Sequence, residues 1–372
     1  MDGLQIGSDD SVEEVLSKTT VARKWLDCAS EIHGNRNTEL TLRISAHIPG
    51  SSPAVKDVFE PAFKRLEIMT GGAIKVEGHW SGSLHKERDG IEALKNGLTD
   101  MCPVYSAWDD KAFPAAQTLS LPFIFPSAEV ATAVSEALYQ QYFRPDFERQ
   151  GVLMGRMVAT SEYNLFSKEP IRSLEDIAGK KIACSNGVES EVFAALGAIP
   201  IGCSTPEAKQ QFESDTVFAM SISDSAAHTV GIYRSAKFRT SANLVRVNLE
   251  YGLSRDFFNR LTPELKPIFN QWLRSLAQAG AQLFYGLAGA KAREEFKKSG
   301  MQFISLSNAE QIRWKEKVGG VESSLIARLE KGNYPAKEMV SAIRSQTQKY
   351  ESWTADQLMQ ETIDSPFTDL LP

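Results

Sequence analysis

One helical stretch, residues 263–298, limits the architectures open to this chain more than any other feature. Its helical pattern continues for about 36 residues, which corresponds to ~54 Å at 1.5 Å per residue. That length exceeds the width of a small domain. The sequence therefore predicts a helix that crosses two domains, with a kink near Gly280 or Gly286.

Upstream of this helix, strand and helix patterns alternate. The run that begins at Leu40 alternates apolar and polar residues, as a half-buried strand does. A helical pattern covers 54–70, and strand patterns return near 73–80 and 99–105. A second unit of the same kind begins near residue 170. Because this order joins parallel strands through helical crossovers, the sequence predicts α/β sheets.

The chain has 372 residues, which is long for one domain and comfortable for two. Chain crossings near residues 160 and 245 and the long helix predict a two-lobed clamp with a cleft between the lobes. Ligands of open α/β sheets bind beyond the carboxyl ends of the strands, so the cleft is the expected site. The predicted division is an N-terminal helical extension at 1–38, lobe I at 39–160 plus 243–287, lobe II at 161–242 plus 288–346, and a C-terminal tail at 347–372.

Composition excludes several classes of function. The 47 acidic residues exceed the 41 Lys and Arg, and this formal net charge of −6 argues against a nucleic-acid partner. No apolar run approaches the ~20 residues of a membrane-spanning helix. The cysteines show no metal-ligand spacing, so no cofactor is predicted. Cys184 and Cys203 end short apolar runs, and we expect reduced thiols there rather than a disulfide.

No motif for catalysis or metal binding stands out. His79 and His85 are six residues apart across a predicted loop, without the spacing of a zinc site. Ser223, Asp224 and His228 are close in sequence, but the members of a catalytic triad come from separate elements. We therefore expect Ser223 or Asp224 to be a helix N-cap and the protein not to be an enzyme.

The N-terminus is acidic and has no continuous apolar core, so no secretory signal is predicted in it as written. Ser11 and Glu14 have the spacing of a capping box. Apolar residues then recur at helical spacing, which predicts one amphipathic helix from about residue 12 to 30. We expect this helix to pack on the main body, with self-association through it as the alternative.

Several passages occur in an order that is typical of one protein family. They are GSLHKERDGIEALKNGLTDM, LSLPFIF, KEPIRSLEDIAGKKIACSN, IYRSAKF and the long helix after TPELKPIF. From about residue 40 to 345 the chain resembles the extracytoplasmic solute receptors of TRAP transporters, the DctP-like family. The resemblance implies a type II periplasmic-binding-protein-like clamp that captures a small solute with high affinity. It also implies a TRAP membrane permease as partner and a periplasmic location.

The chain departs from the family where that resemblance places a carboxylate-binding arginine. The family arginine falls on Ala183, which offers neither a donor nor a charge. A second arginine, found in some members, falls at or near Tyr163. Either the ligand lacks a simple arginine-clamped carboxylate, or another basic residue reaches the cleft. The candidates for that residue are Arg156, Arg234, Arg239 and Arg246.

The same mapping places eight residues at loop ends that face the cleft. They are His47, Trp80, Tyr105, Trp108, Tyr163, Asn186, Ser221 and Ser223. Aromatic residues predominate, which suits an apolar, aromatic or neutral polyhydroxylated ligand. The alternative for Trp80 and Trp108 is that they close the core at strand ends, and Ser221 and Ser223 face either the cleft or the sheet.

Two functions follow from these observations. The first is a solute-binding receptor whose lobes close around the ligand and present the closed form to a membrane permease. The second is a redeployed clamp that serves as a ligand sensor or a partner-docking protein, with the N-terminal helix as its contact. A requirement for residues 1–38 in a stable oligomer would favour the second.

Overall fold

Two mixed β-sheets form the framework of the protein, which we describe from a computed structural model for residues 4–28 and 40–365. In the first sheet the strand order is β2-β1-β3-β10-β4, and in the second it is β11-β9-β5-β8-β6-β7. The strands are β1 (Leu40–Ser45), β2 (Ile74–His79), β3 (Met101–Pro103), β4 (Leu153–Ala159), β5 (Asn164–Ser167), β6 (Lys181–Cys184), β7 (Ile199–Gly202), β8 (Ala219–Ile222), β9 (Phe238–Ser241), β10 (Asn248–Leu253) and β11 (Gln302–Ser305).

The pairing directions match the predicted α/β class and its crossovers. β1 is parallel to β2 and β3, and β6 is parallel to β7 and β8. β10 instead runs antiparallel to β3 and β4, because it returns from the second sheet to the first. Each sheet belongs to one lobe, so the two-lobed α/β clamp is confirmed. The residue numbers of the domain division stay a prediction.

Two strands of the second lobe were not predicted. β5 and β9 are each four residues long and pair antiparallel with one another. β9 has the sequence FRTS, whose charged and hydroxyl side chains are atypical of a buried strand. Its buried Arg239 is accommodated by a carboxylate partner that local periodicity does not reveal.

Helices surround both sheets. The α-helices are α1 (Val12–Lys18), α2 (Thr20–Leu26), α3 (Glu60–Met69), α4 (Gly90–Lys95), α5 (Ala128–Ala137), α6 (Arg144–Arg149), α7 (Leu174–Ile177), α8 (Val188–Ala195), α9 (Thr205–Glu213), α10 (Asp224–Val230), α11 (Arg255–Arg260), α12 (Leu265–Ala279), α13 (Ala288–Lys298), α14 (Asn308–Lys331), α15 (Ala336–Tyr350) and α16 (Ala355–Asp364). Segments of π-helix cover Ala54–Phe59, Tyr139–Phe143 and Gly280–Leu287.

The N-terminal helix predicted for residues 12–30 is instead two helices, and its last two residues lie outside the described part of the chain. α1 begins with the predicted capping box of Ser11 and Glu14. The helix breaks at Thr19, whose hydroxyl donates a hydrogen bond to the Val15 carbonyl. Trp25 and its α2 neighbours are buried in the core of the first lobe, as expected for packing on the body. Self-association through this segment stays a prediction.

The predicted crossing helix is continuous from α12 through the π-helical segment Gly280–Leu287 to α13. The segment that contains Gly280 and Gly286 is π-helical, and the two glycines let other chain segments approach closely. The predicted kink stays a prediction. A Cβ at Gly280 would lie 3.3 Å from Arg156 Nη1, and one at Gly286 would lie 2.8 Å from the Ile6 side chain. The helix therefore passes tightly between β4 and the N-terminal segment.

A buried ion pair fixes the far end of the crossing helix to the second lobe. Arg239 on β9 donates from Nε and Nη2 to the two carboxylate oxygens of Asp224, at 2.7 and 2.8 Å. Arg293 on α13 donates to the same carboxylate at 3.4 Å. Arg239 is 1% exposed, so its charge depends on this bidentate contact for stabilisation.

We predict that Arg239→Met lowers the free energy of unfolding by about 3–5 kcal/mol, because the substitution leaves the Asp224 carboxylate buried with a weakened partner. Urea denaturation of the purified protein measures this change. Arg234→Met, which removes an exposed charge from the same region, serves as the control and should change it by less than about 0.5 kcal/mol. Equal effects of the two substitutions would contradict the role of the buried pair.

Candidate functional site

The two lobes contact one another across the cleft through a tryptophan that follows β3. Trp108 Nε1 donates a hydrogen bond to the Cys203 carbonyl of the second lobe at 2.9 Å. In return, Asn186 Nδ2 of the second lobe donates to the Trp108 carbonyl at 2.9 Å. Arg88 and Glu207 add an exposed ion pair at 3.8 Å. These contacts join the two lobes directly across the cleft.

Tyr105 lies at the centre of the cleft, at the carboxyl end of β3. Its ring centroid is 5.2 Å from Trp108, 6.0 Å from His47 and 6.2 Å from Tyr251. The neighbouring turn is held by Glu250, which accepts hydrogen bonds from the Ser106 backbone and hydroxyl. Tyr105 is thus presented to the cleft on a well-anchored loop.

Among the described residues, Tyr105 lines two cavities. The larger measures about 140 Å³ and is lined by Glu87, Arg88, Gly90, Ile91, Pro103, Val104, Tyr105, Trp108, Asp109 and Phe113. The smaller measures about 50 Å³ and is bounded by Phe59, Tyr105, Arg156, Tyr251, Phe284 and Tyr285. Aromatic side chains are a minority of the residues that line the larger cavity and nearly half of those that line the smaller one.

Buried tyrosines from both lobes and the crossing helix surround this region. Burial raises the pKa of Tyr105 and Tyr163 well above the ordinary value, and nearby carboxyl groups raise both further. Tyr163 interacts electrostatically with Glu189 and with Tyr285 of the crossing helix. The hydroxyls accordingly stay protonated and serve as neutral hydrogen-bonding groups.

A histidine and a glutamate meet on the first-lobe side of the cleft. His47 Nε2 lies 3.2 Å from Glu87 Oε1. Burial lowers the pKa of His47 to about 4, and burial also raises the pKa of Glu87 to about 7. At neutral pH the imidazole is therefore uncharged and the carboxyl is partly protonated, so the pair is not a full salt bridge.

A second glutamate is buried on the other side, at the start of α8. Glu189 accepts hydrogen bonds from the Ser185 backbone and hydroxyl and from the Ser221 hydroxyl, the last at 2.6 Å. Burial raises the pKa of Glu189 to about 7. The Ser221 hydroxyl is thus occupied with Glu189, and any effect it has on a ligand passes through that carboxyl group.

The structure brings six of the eight predicted residues to this region. His47, Tyr105, Trp108 and Asn186 are linked by ring contacts and hydrogen bonds, while Tyr163 and Ser221 adjoin Glu189. Their roles toward a ligand stay predictions. The sequence interpretation missed Glu87 and Glu189, because burial of a carboxyl group leaves no periodic pattern, and missed Tyr251 and Tyr285.

The other two residues lie away from the cavities. Trp80 stacks on Phe63 and packs against Phe59 within the first-lobe core, so it lies one ring removed from the smaller cavity. Ser223 is the N-cap residue of α10 by position and is fully buried. Ser223 thus has the expected N-cap position, but its side chain makes no capping hydrogen bond.

Ala183 lies in the core, and three of the four candidate arginines contact other side chains of the protein and do not line a cavity beside Tyr105. Ala183 is fully buried in an apolar cluster of the second lobe with Phe212 and Met220. Arg239 is paired with Asp224. Arg246 is paired with Glu162 at 3.1 Å, and Arg234 is exposed above the Tyr233 ring. Arg156 alone among the four candidates lines one of the cavities beside Tyr105.

Within residues 4–28 and 40–365, no cluster of three or more His, Cys, Asp and Glu side chains has the arrangement of a metal site. In the same part of the chain, none of the helices is long and apolar enough to cross a membrane. Cys184 and Cys203 are adjacent at the ends of β6 and β7, and both are free thiols.

Comparison with known proteins gives a family match. The model of the family described as bacterial extracellular solute-binding protein, family 7 (DctP), matches residues 44–327. The protein YiiZ of Salmonella typhimurium is 31% identical over 174 residues, which cover 45% of this chain and 52% of YiiZ, about half its length. The C4-dicarboxylate-binding periplasmic protein DctP of Rhodobacter capsulatus is 22% identical over 289 residues, covering 76% and 83% of the two chains.

Solved structures show the same fold. One is a TRAP solute-binding protein from an unidentified marine microbe, specific for aromatic acid ligands and bound to meta-hydroxyphenylacetate. It superposes with a TM-score of 0.79 at 19% identity, covering 84% of this chain and 100% of its own. The match confirms the architecture of the clamp.

We predict that stability falls with rising pH where Glu189 titrates. Its pKa of about 7 lies above the ordinary 4.5, so between these values the folded protein keeps a proton that the unfolded chain loses. The stabilisation is therefore complete below about pH 4.5 and is lost as the pH rises through about 7. Glu189→Gln imitates the protonated acid, so its advantage over the wild type should grow to about 2 kcal/mol between pH 5 and pH 8.

Thermal melts of both proteins across this pH range measure the difference. Glu316→Gln, which changes an exposed side chain on α14, supplies the control. A constant difference between Glu189→Gln and the wild type from pH 5 to pH 8 would contradict the titration.

Proposed function

The chain belongs to the bacterial extracellular solute-binding proteins of family 7, and we propose that it captures a small aromatic solute in its interlobe cleft and delivers it to a TRAP-type permease. Members of this family are extracytoplasmic receptors, not enzymes. The chain is accordingly a solute-binding receptor, and its task is binding without turnover. A periplasmic location for this chain is part of the proposal.

The observation that carries the aromatic part of the proposal is the ring of side chains around Tyr105. Trp108, Tyr251 and Tyr285 approach it from the first lobe and the crossing helix. Aromatic rings pack favourably with one another in offset or edge-to-face arrangements, so a planar ring is the ligand shape that this surface accommodates best. A sugar acid would instead need many directed hydrogen bonds, and the polar side chains that line the smaller cavity are limited to Arg156 and three tyrosines.

The buried carboxyl groups also restrict the ligand. Glu87 and Glu189 flank the cleft, and burial raises the pKa of each to about 7. A ligand with two negative charges would raise the cost of ionising them, which disfavours a C4-dicarboxylate. Position 183 offers no compensating cation, because Ala183 is packed inside the second lobe. We therefore propose that the solute is not clamped by an arginine at that position.

Closure of the lobes links binding to transport in this proposal. The contacts of Trp108 with Cys203 and Asn186 join the two lobes across the cleft. A ligand that fills the cleft stabilises this arrangement, and the closed surface is what a membrane permease would recognise. The second of the N-terminal helices, α2, is packed on the first lobe, and the role of a docking protein stays the alternative.

We predict that simple aromatic compounds raise the melting temperature of the wild-type protein, whereas succinate and galacturonate do not. A ligand at 100 times its dissociation constant adds about 2.7 kcal/mol, which corresponds to several degrees. Benzoate, phenylacetate and benzyl alcohol form the aromatic panel in a thermal-shift experiment. A response confined to succinate or galacturonate would contradict the proposal.

We predict that Trp108→Phe weakens binding of the aromatic ligand about 3–10-fold. The phenyl ring keeps most of the stacking on Tyr105 but leaves the Cys203 carbonyl without its donor, at a cost of about 1 kcal/mol to the closed form. Stopped-flow measurement of ligand dissociation should show a faster rate. Trp353→Phe, distant from the cleft beside Tyr350, is the matched control. An unchanged dissociation rate in Trp108→Phe would show that the Trp108 hydrogen bond does not hold the lobes together around the ligand.

A further inference from the structure

We propose that Arg156 on β4 binds a carboxylate of the solute, which makes the ligand an aromatic monocarboxylate. This inference rests on the function proposed above and specifies its ligand. It places the cationic anchor in the first lobe, whereas position 183 lies in the second.

Arg156 is distinguished by the lack of an acidic partner. Among residues 4–28 and 40–365, the arginines that are no more than 9% exposed are Arg156, Arg239, Arg274 and Arg293. Arg239 and Arg293 are paired with Asp224, and Arg274 is paired with Glu136. No carboxylate of the described residues comes within 4.0 Å of Arg156. A buried guanidinium without a counter-charge is costly, so its presence indicates a site for an incoming anion.

The contacts of Arg156 leave part of its hydrogen-bonding capacity unused. The guanidinium carbon lies 4.3 Å from the Tyr251 ring centroid and 4.9 Å from that of Phe59. Burial raises the pKa of Tyr251, and the nearby positive charge of Arg156 opposes that shift. Arg156 Nε is buried and has no hydrogen-bond partner among the described residues. The two aromatic rings stabilise the positive charge of the guanidinium and fix its orientation. They leave N–H groups of Arg156 available to donate hydrogen bonds to a carboxylate.

The guanidinium of Arg156 lies beside the cleft. Arg156 lines the smaller cavity together with Tyr105 and Tyr285, and Tyr105 also borders the larger cavity. The close passage of the crossing helix at Gly280 confines the guanidinium from the other side. A carboxylate on Arg156 would therefore direct the attached ring toward Tyr105. This arrangement matches a benzoate-like molecule, with charge at one end and a ring at the other.

The charged residues around the cleft also limit how many carboxylates the ligand can carry. The other deeply buried arginines of the described chain already have carboxylate partners, and Glu87 and Glu189 lie on the opposite sides of the cleft. A second ligand carboxylate would meet these acids, and Arg88, the cation that lines the larger cavity, is already paired with Glu207 at 3.8 Å. One carboxylate is thus accommodated and two are not.

Isothermal titration of the full chain with benzoate and with its neutral counterpart benzyl alcohol tests the inference. We expect Arg156→Met to weaken benzoate binding at least 100-fold and benzyl alcohol binding less than 3-fold. Arg156→Lys, which keeps the charge without the bidentate fork, should lose about 10-fold for benzoate. Arg234→Met removes an exposed charge of the same kind and should leave both affinities unchanged.

The outcomes separate this inference from the proposed function. If the wild type binds both compounds equally, or if Arg156→Met binds benzoate as the wild type does, the anchor is overturned and the aromatic receptor stands. If the wild type binds neither compound, both proposals are overturned.

The melting temperature of the ligand-free protein gives an independent readout. Because Arg156 lacks a counter-charge, Arg156→Met should melt at or above the wild-type temperature. Melting several degrees below the wild type would assign Arg156 to the fold and overturn the inference.

Discussion

The helix that runs from Leu265 to Lys298 is the element on which the rest of the structure depends. Its first half contributes Trp272 to the core of the first lobe. Its π-helical centre passes Arg156 at Gly280 and brings Tyr285 to the cleft. Its last part carries Arg293 to the buried Asp224 of the second lobe. The helix thereby fixes where the two lobes meet, and the ligand site lies along its middle.

Four largely buried ionisable side chains give the cleft an unusual electrostatic environment. Burial raises the pKa of Glu87, Glu189 and Glu250 to about 7 each, while Arg156 is buried and has no acid beside it among the described residues. Such an arrangement is expected at a ligand-binding site, because side chains with strongly shifted pKa values cluster at functional sites. The bound ligand then supplies the charge or hydrogen bonds that the buried groups lack. Burial strengthens every charge interaction within the cleft.

The sequence predicted much of the framework because the framework depends on periodic burial. The alternation in β1, the length of the crossing helix and the ordered family passages sufficed for a two-lobed clamp. The short strands β5 and β9 were missed, because their stability comes from antiparallel partners distant in sequence. The aromatic character of the site was also predicted through Tyr105 and Trp108. The buried acids and the isolation of Arg156 are properties of three-dimensional packing, and no local pattern encodes them.

A crystal structure of the protein with benzoate bound would test the central claim most directly. The account predicts closed lobes, with the ring of the ligand beside Tyr105 and its carboxylate on the Arg156 guanidinium. Electron density for benzoate outside the interlobe cleft, or within the cleft but with its carboxylate held by residues of the second lobe, would contradict the account.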